Sequence, residues 1–120
     1  MIAAGSERFP KSARLRSRQD YLRVQGQGAK VSVGPLLALI TASPQGVTRL
    51  GITVSSKVGN AVTRARIRRH VREAFRKVRA QLPAGVDIVV VARGSAAQAD
   101  SKALHKAFHG LLAKLPVPSR

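Results

Sequence analysis

Residues 58–79, VGNAVTRARIRRHVREAFRKVR, restrict the possible folds of this chain most strongly, because they have the pattern of one amphipathic helix. At about 100° per residue, one arc of roughly 100° collects the apolar side chains of Ile67, Val71, Ala74, Phe75, Val78 and Leu82. Asn60 is a suitable N-cap, and Pro83 and Gly85 end the pattern. The sequence therefore predicts a long helix that buries one stripe.

The polar side of this helix carries seven arginines and one lysine, with Glu73 as the single acid. The arc beside the apolar stripe holds Arg64, Arg68, Arg72, Arg76 and Arg79, with Arg69 beyond it and Arg66 and Lys77 on the opposite side. Like charges four residues apart each cost a few tenths of a kcal/mol, and solvated helix faces normally mix signs. Because arginine binds phosphate oxygens with a planar fork, this face indicates a polyanionic partner.

The charge of the whole chain supports that interpretation. In 120 residues there are 22 Lys+Arg and 5 Asp+Glu, a formal net charge of +17. A polyanion would relieve the resulting self-repulsion. The hydrophobic content of 44% argues against a disordered basic tail. We therefore expect one nucleic-acid-binding domain over residues 1–120, with 1–7 and 116–120 flexible. RNA and DNA both remain open, and the absence of helix-turn-helix or zinc-finger spacing favours RNA or nonspecific binding.

Several classes of protein are disfavoured. The sequence has no cysteine, which excludes disulfides and thiolate metal sites. It also has no apolar run of membrane-spanning length and no signal-peptide core at its N-terminus. We therefore expect a cytoplasmic protein without a membrane partner. A membrane-active cationic peptide is a poor alternative, because the arginine face is too wide for deep apolar insertion.

The remaining elements can be placed by pattern. Ser17 is a candidate cap for a helix to about Gln25 with Tyr21, Leu22 and Val24 as apolar members. Strands are predicted near 31–33 and at 36–42, 47–55 and 86–92, the last buried on both faces. SPQG between 36–42 and 47–55 has turn chemistry, so we expect these two strands to form a hairpin. A last helix should run from a cap at Asp100 or Ser101 to about Leu115, with one apolar stripe made of Leu104, Phe108, Leu111, Leu112 and Leu115.

No catalytic or metal site is predicted in the protein. The acids Glu7, Asp20, Glu73, Asp87 and Asp100 are scattered, whereas two-metal nucleases need converging carboxylates. His105 and His109 are spaced for one helix face but lack an acidic or cysteine partner, so we assign no metal to them. His70 lies among arginines, which should favour its neutral form at the surface.

Four segments carry a family resemblance: FPKSARLRSRQDYLRV, RLGITVSSK, SSKVGNAVTRARIRRHVREAF and LPAGVDIVVVARG. In order and spacing they resemble the bacterial ribonuclease P protein family over roughly residues 8–115. The resemblance implies an α+β fold, an α-β-β-β-α-β-α sandwich with a small central sheet and a left-handed β-α-β crossover, similar to a domain of a small-subunit ribosomal protein. It also implies a catalytic RNA partner that removes the 5′ leader of precursor tRNA with Mg²⁺. The protein would assist as a monomer, one per RNA, and bind no cofactor itself.

The resemblance also implies two sets of binding residues. Contact with the RNA subunit would involve Lys57, Asn60, Arg64, Arg66, Arg68, Arg69 and Arg72. A cleft between the first helix and the sheet would hold the single-stranded leader, with Phe9, Arg14 and Tyr21 at matching positions; packing is the alternative role for both aromatics. The chain departs from the family at Ala65, which replaces a signature asparagine, at Ser56, which replaces a lysine, and at Gln25 and Leu39, which replace aromatics. A ribosomal or general RNA-binding protein is the alternative.

Overall fold

The computed structural model of the protein describes residues 13–15, 17–44, 46–82 and 85–114. The predicted cleft contact of Phe9 and the predicted flexibility of 1–7 and 116–120 lie outside the described residues.

Within the described residues, three helices and four strands follow one another in the order that the family resemblance implied. They are α1 (Arg18–Gln27), β1 (Ala29–Val33), β2 (Leu36–Ala42), β3 (Arg49–Thr53), α2 (Ala61–Val78), β4 (Val86–Ala92) and α3 (Ser101–Lys114). Short 3₁₀ turns follow α2 at Arg79–Gln81 and precede α3 at Gly94–Ala97. The α+β class and the α-β-β-β-α-β-α order are therefore confirmed.

The predicted hairpin between 36–42 and 47–55 is wrong, although both strands exist. The sheet order is β1-β2-β4-β3, so β4 lies between the two strands that were expected to pair. β2 runs antiparallel to β4, and β3 runs parallel to β4 after a crossover through α2. The predicted turn does form, with Gly46 N–H donating to the Ser43 carbonyl at 3.3 Å. Because β4 is apolar nearly throughout, it takes the central position, as its predicted burial on both faces requires.

The hairpin in this sheet joins β1 to β2 instead. Their register runs from Ala29 opposite Ile40 to Val33 opposite Leu36. The two-residue connection places Gly34 at φ 54°, a conformation that favours glycine because it has no Cβ.

The helices cover the two faces of the sheet unequally. α3 lies over β1 and β2, and α2 lies beside it towards β3, so one face is closed by two helices. The main core between them includes Ile67, Val71, Ala74 and Phe75 of α2 and Leu104, Ala107, Phe108 and Leu111 of α3. Val78, Leu82 and Leu112 pack partly buried against it. The apolar stripes predicted for both helices are thus confirmed, except that Leu115 lies outside the described residues.

α1 covers part of the opposite face. Its Val24 forms a smaller core with Leu15, Leu39 and Val89. The predicted cap is confirmed, since Ser17 Oγ accepts the Asp20 backbone N–H at 3.1 Å. The helix runs two residues beyond the predicted end, and Leu22, expected on the apolar side, is 52% exposed. No helix within the described residues is long and apolar enough to cross a membrane.

Candidate RNA-binding surfaces

The basic face of α2 begins at a capped helix start. Asn60 Oδ1 accepts a hydrogen bond from the Thr63 backbone N–H at 2.9 Å, which confirms the predicted cap. Lys57 and Asn60 are exposed, and the Nε of Arg64 donates back to the Gly59 carbonyl at 3.2 Å. A cation and an amide therefore lie beside the positive end of the α2 dipole, where an anion is favoured.

Further along α2, the polar face follows the predicted helical register. Arg69 and Arg72 are exposed, and Arg68 is half-buried. Ala65 is exposed too, so it lies on the polar side, as the sequence predicted. A ligand approaching this face therefore meets guanidinium groups and one small apolar side chain.

Four arginines converge on a pocket of about 240 Å³, here called the arginine pocket, lined by Arg14, Arg69, Arg72, Glu73 and Arg76. Glu73 accepts a hydrogen bond from Arg76 at 3.2 Å, and among the described residues it is the one acid in the lining. Burial, followed by the charges of Arg14 and Arg68, lowers the pKa of Arg72, while Tyr21 acts in the opposite direction. The guanidinium groups therefore repel one another in the free protein, and a bound phosphate would relieve that repulsion.

Arg66 is held by the protein itself. Its Nη1 donates to the Ala99 carbonyl at 2.8 Å, and its Nη2 donates to the Ala97 carbonyl at 3.0 Å. These bonds fasten α2 to the segment before α3. Arg66 therefore has a structural role in the free protein that the sequence pattern did not indicate.

Tyr21 lies where α1 meets the edge strand β3. Its hydroxyl oxygen accepts the Ile52 backbone N–H at 3.0 Å. The ring lies against Gly51, where an added Cβ would stand 2.7 Å from the Tyr21 Cζ, so this close approach requires glycine. Arg14 forms an isolated parallel β-bridge with Leu50 on the same edge of the sheet. Tyr21 and Arg14 therefore both border β3. The tyrosine ring is half-buried and packs on Gly51.

A row of side chains crosses the sheet face beyond α1. Ser32 is opposite Leu37, Leu37 is opposite Val91, and Thr53 is opposite Val91 on the other side. Because alternate residues share a face, this row lies on the same face as Leu39. Ser32 is exposed and the other three are half-buried. These four residues are here called the open row, and the open row with the adjoining side of α1 is called the cleft.

A charged network anchors α1 beside that cleft. Asp87 is fully buried and accepts hydrogen bonds from Arg23 of α1 and from Arg49 of β3, the latter at 2.8 and 2.9 Å. Asp20 of α1 approaches Arg49 at 3.4 Å. The hydrogen bond from Arg49 to Asp87 raises the pKa of Arg49, although burial acts in the opposite direction. Since Arg49 is only 6% exposed, these pairs tie α1 to the sheet where apolar contact is limited.

The acids of the described residues are all engaged within the protein. Asp20 and Asp87 belong to the charged network, Glu73 pairs with Arg76, and Asp100 Oδ1 accepts the Ala103 backbone N–H at 2.8 Å. Among the described residues, no three histidine or carboxylate side chains are grouped as a metal site would require. His105 packs edge-to-face on His70 with ring centroids 5.8 Å apart, while His109 packs on Phe108.

Comparison with known proteins decides the family. The ribonuclease P family profile matches residues 9–116. A ribonuclease P protein component from Desulfatibacillum aliphaticivorans is 39% identical over 116 residues, covering 97% of this chain and 98% of the relative. The chain belongs to the ribonuclease P protein family. It is therefore a ribonuclease P subunit, and its partner is the ribonuclease P RNA.

Two further ribonuclease P proteins are similar over most of the chain. The component from Xanthomonas campestris is 43% identical over 116 residues, covering 93% of this chain and 77% of the relative. The solved structure of the Staphylococcus aureus ribonuclease P protein has a TM-score of 0.79 and 31% identity, covering 88% of this chain and 98% of that one. The similarity therefore extends to sequence and fold.

The residues that the resemblance placed at the leader cleft differ in their exposure. Arg14 and Tyr21 both border β3 beside the cleft. Leu39, for which the resemblance implies an aromatic in some family members, is buried under α1. Arg76 was missed by the sequence prediction, although its place on the basic arc was a usable signal. The open row was missed because it depends on strand register, which the sequence pattern had misassigned.

Proposed function

We propose that this subunit docks on the ribonuclease P RNA through α2 and holds the 5′ leader of precursor tRNA in the cleft between α1 and the sheet. In this role it assists endonucleolytic removal of the leader by the RNA. The observation that carries the proposal is the position of Arg14, which lines the arginine pocket on α2 and also borders β3 beside Tyr21. One basic surface can therefore contact the RNA subunit and its substrate together.

The docking part of the proposal rests on phosphate chemistry. Lys57, Asn60 and the helix start would bind one backbone segment, and the arginines at 64, 68, 69 and 72 would bind the next. Arg66 contributes chiefly by holding α2 in place, because two of its nitrogens already donate to backbone carbonyls. Binding of this type releases counterions and weakens steeply with salt.

The cleft part of the proposal rests on shape and mixed chemistry. The open row offers the aliphatic side chains of Leu37 and Val91 between two hydroxyl side chains. Tyr21 offers its ring, and Arg14 offers charge at one end. Stacking and backbone charge contacts tolerate many sequences, which suits leaders that differ from one precursor to another. With Leu39 and Gln25 replacing aromatics, leader binding in this chain depends more on charge than on stacking.

Mg²⁺ enters the proposal through the RNA. Mg²⁺ prefers oxygen ligands at near-octahedral geometry. The carboxylates of the described residues do not fit such a site, because arginines or a helix start already engage them. The protein's own contribution is therefore to bind, to orient the leader and to lower electrostatic repulsion between the two RNAs. The proposal includes a monomer that binds one RNA in the cytoplasm, where bacterial tRNA is transcribed and processed.

Reconstitution tests the proposal. The full chain is added to a bacterial ribonuclease P RNA at limiting Mg²⁺, and cleavage of a precursor tRNA is followed with RNA alone and protein alone as controls. We expect leader removal only when both components are present. A chain that binds this RNA without stimulating cleavage would instead be a general RNA-binding protein, and cleavage by nucleic-acid-free protein would assign chemistry to the protein.

A further inference from the structure

A second basic groove lies between α2 and α3, on the far side of α2 from Tyr21. It has a volume of about 330 Å³ and is lined by Arg69, His70, Glu73, Lys77, Ser101 and His105. We call it the α2/α3 groove. Both helices that form it are fixed by the main core, so its shape is largely preformed.

The lining of the α2/α3 groove has the chemistry of an anion site. Arg69, Lys77 and the Ser101 hydroxyl supply donors around the His70–His105 ring pair. Glu73, the one acid that the described part of the chain contributes to the lining, is shared between Arg76 at 3.2 Å and Lys77 at 4.0 Å. Cationic and neutral donors therefore outnumber the acceptors that face the groove.

Both histidines are held towards the neutral state in the free protein. Burial, then Arg69, His105 and Arg66, lowers the pKa of His70 below 6.5, and Glu73 opposes this. Burial and then Lys77 lower the pKa of His105 below 6.5, with Glu73 opposing and His109 adding to the effect. An anion between the rings would reverse the balance, because it favours the charged imidazolium.

We propose that the α2/α3 groove binds a backbone phosphodiester of RNA and takes up protons on His70 and His105 as it does so. Arg69 argues for RNA over free phosphate, because it lines both this groove and the arginine pocket. A strand that crosses α2 at Arg69 would place phosphates in both. This proposal rests on the proposed function and adds a second contact that the basic arc of α2 does not include.

The linkage has a definite sign. The phosphodiester stays ionised across the range in which histidine titrates, so only the imidazoles change charge. Binding raises the pKa of His70 and His105 from their depressed free values. RNA affinity should therefore increase as pH falls through the pKa values of the two histidines in the complex and should lose this component above them.

Calorimetry with ribonuclease P RNA in two buffers of different ionisation enthalpy measures the protons taken up on binding near pH 6. The variants are His70→Gln/His105→Gln, His105→Gln alone, and His109→Gln as the matched control on the exposed side of α3. We expect proton uptake by the wild type and His109→Gln, less by His105→Gln, and none by the double variant. From pH 7.5 to 5.5, wild-type affinity should rise roughly threefold to tenfold more than that of the double variant.

The outcomes distinguish failure of the groove proposal from failure of the proposed function. Tight RNA binding with equal proton uptake by wild type and double variant overturns the groove and leaves the proposed function standing. Failure of all four proteins to bind the RNA overturns the proposed function itself. Inorganic phosphate, titrated while the histidine ring protons are followed by NMR, provides the second arm. If it shifts His70 and His105 but RNA does not displace it, the groove is a free-anion site and the RNA assignment is wrong.

Discussion

The face of the sheet under α2 and α3 is closed, whereas the face under α1 is only partly covered. On the closed face the buried side chains are apolar, with Phe75 and Phe108 as the largest. On the open face a small apolar cluster is supplemented by the buried charges of Arg49 and Asp87, and the open row remains accessible. Stability and binding are therefore divided between the two faces: one packs efficiently, and the other preserves a cleft beside the basic helix.

The largest expected effect is on the closed face. Phe75→Ala removes a fully buried ring and should reduce the free energy of unfolding by about 3 to 5 kcal/mol. Leu22→Ala on α1 is the matched control, because that side chain is largely exposed and should change stability by less than about 0.5 kcal/mol. Urea denaturation of both variants measures the difference. Equal effects would mean that α1 contributes as much packing as α2.

The next effect tests whether charge fastens the open face. Asp87→Asn leaves Arg49 buried without its carboxylate and should destabilise the protein by about 3 kcal/mol. Asp100→Asn makes the same chemical change at a helix cap, where asparagine serves nearly as well, and should be nearly neutral. Hydrogen exchange should locate the loss in α1. A stable Asp87→Asn protein with a protected α1 would show that apolar contact alone holds this helix.

The sequence predicted features that depend on neighbouring residues better than features that depend on contacts between distant segments. Helix stripes and the caps at Ser17, Asn60 and Asp100 are set within one or two turns, so periodicity and local side-chain chemistry predicted them correctly. Strand pairing joins distant segments, and the local turn at 43–46 gave a misleading prediction.

The burial of Asp87, the carbonyl contacts of Arg66 and the His70–His105 pair could not be predicted for the same reason. Each depends on which distant elements become neighbours in the fold. Asp87 and Arg66 have no partner close to them in the sequence. No local pattern therefore indicated these contacts.

The third prediction concerns charges on the α1 side of α2. Arg68→Ala/Arg72→Ala should weaken RNA binding and flatten the slope of log K against log[salt] by roughly 1 to 2, because two phosphate contacts are lost. Lys106→Ala/Lys114→Ala removes two exposed charges from α3 outside the α2/α3 groove and should have a smaller effect. Filter binding across a salt series gives both slopes. Equal slopes for the two pairs would mean that net charge, rather than the α2 face, attracts the RNA.

The smallest expected effect is at Ala65, where the resemblance implies an asparagine in the family signature. The side chain is exposed on the polar face of α2, so Ala65→Asn adds two donors and one acceptor without disturbing the core. A well-placed uncharged hydrogen bond contributes about 0.5 to 1.5 kcal/mol, so affinity for ribonuclease P RNA should rise by roughly twofold to twelvefold.

Helix propensity acts in the opposite direction on the free protein, because alanine is the better helix former by several tenths of a kcal/mol. The melting temperature of Ala65→Asn without RNA should therefore fall slightly while its affinity rises, which separates the two effects. Thr63→Asn, two residues nearer the helix start and half-buried, is a control for the cost of asparagine in α2. Unchanged affinity at Ala65→Asn would show that the RNA does not contact this position. The amide would then be dispensable here, and the neighbouring arginines Arg64 and Arg68 would carry the local contact alone.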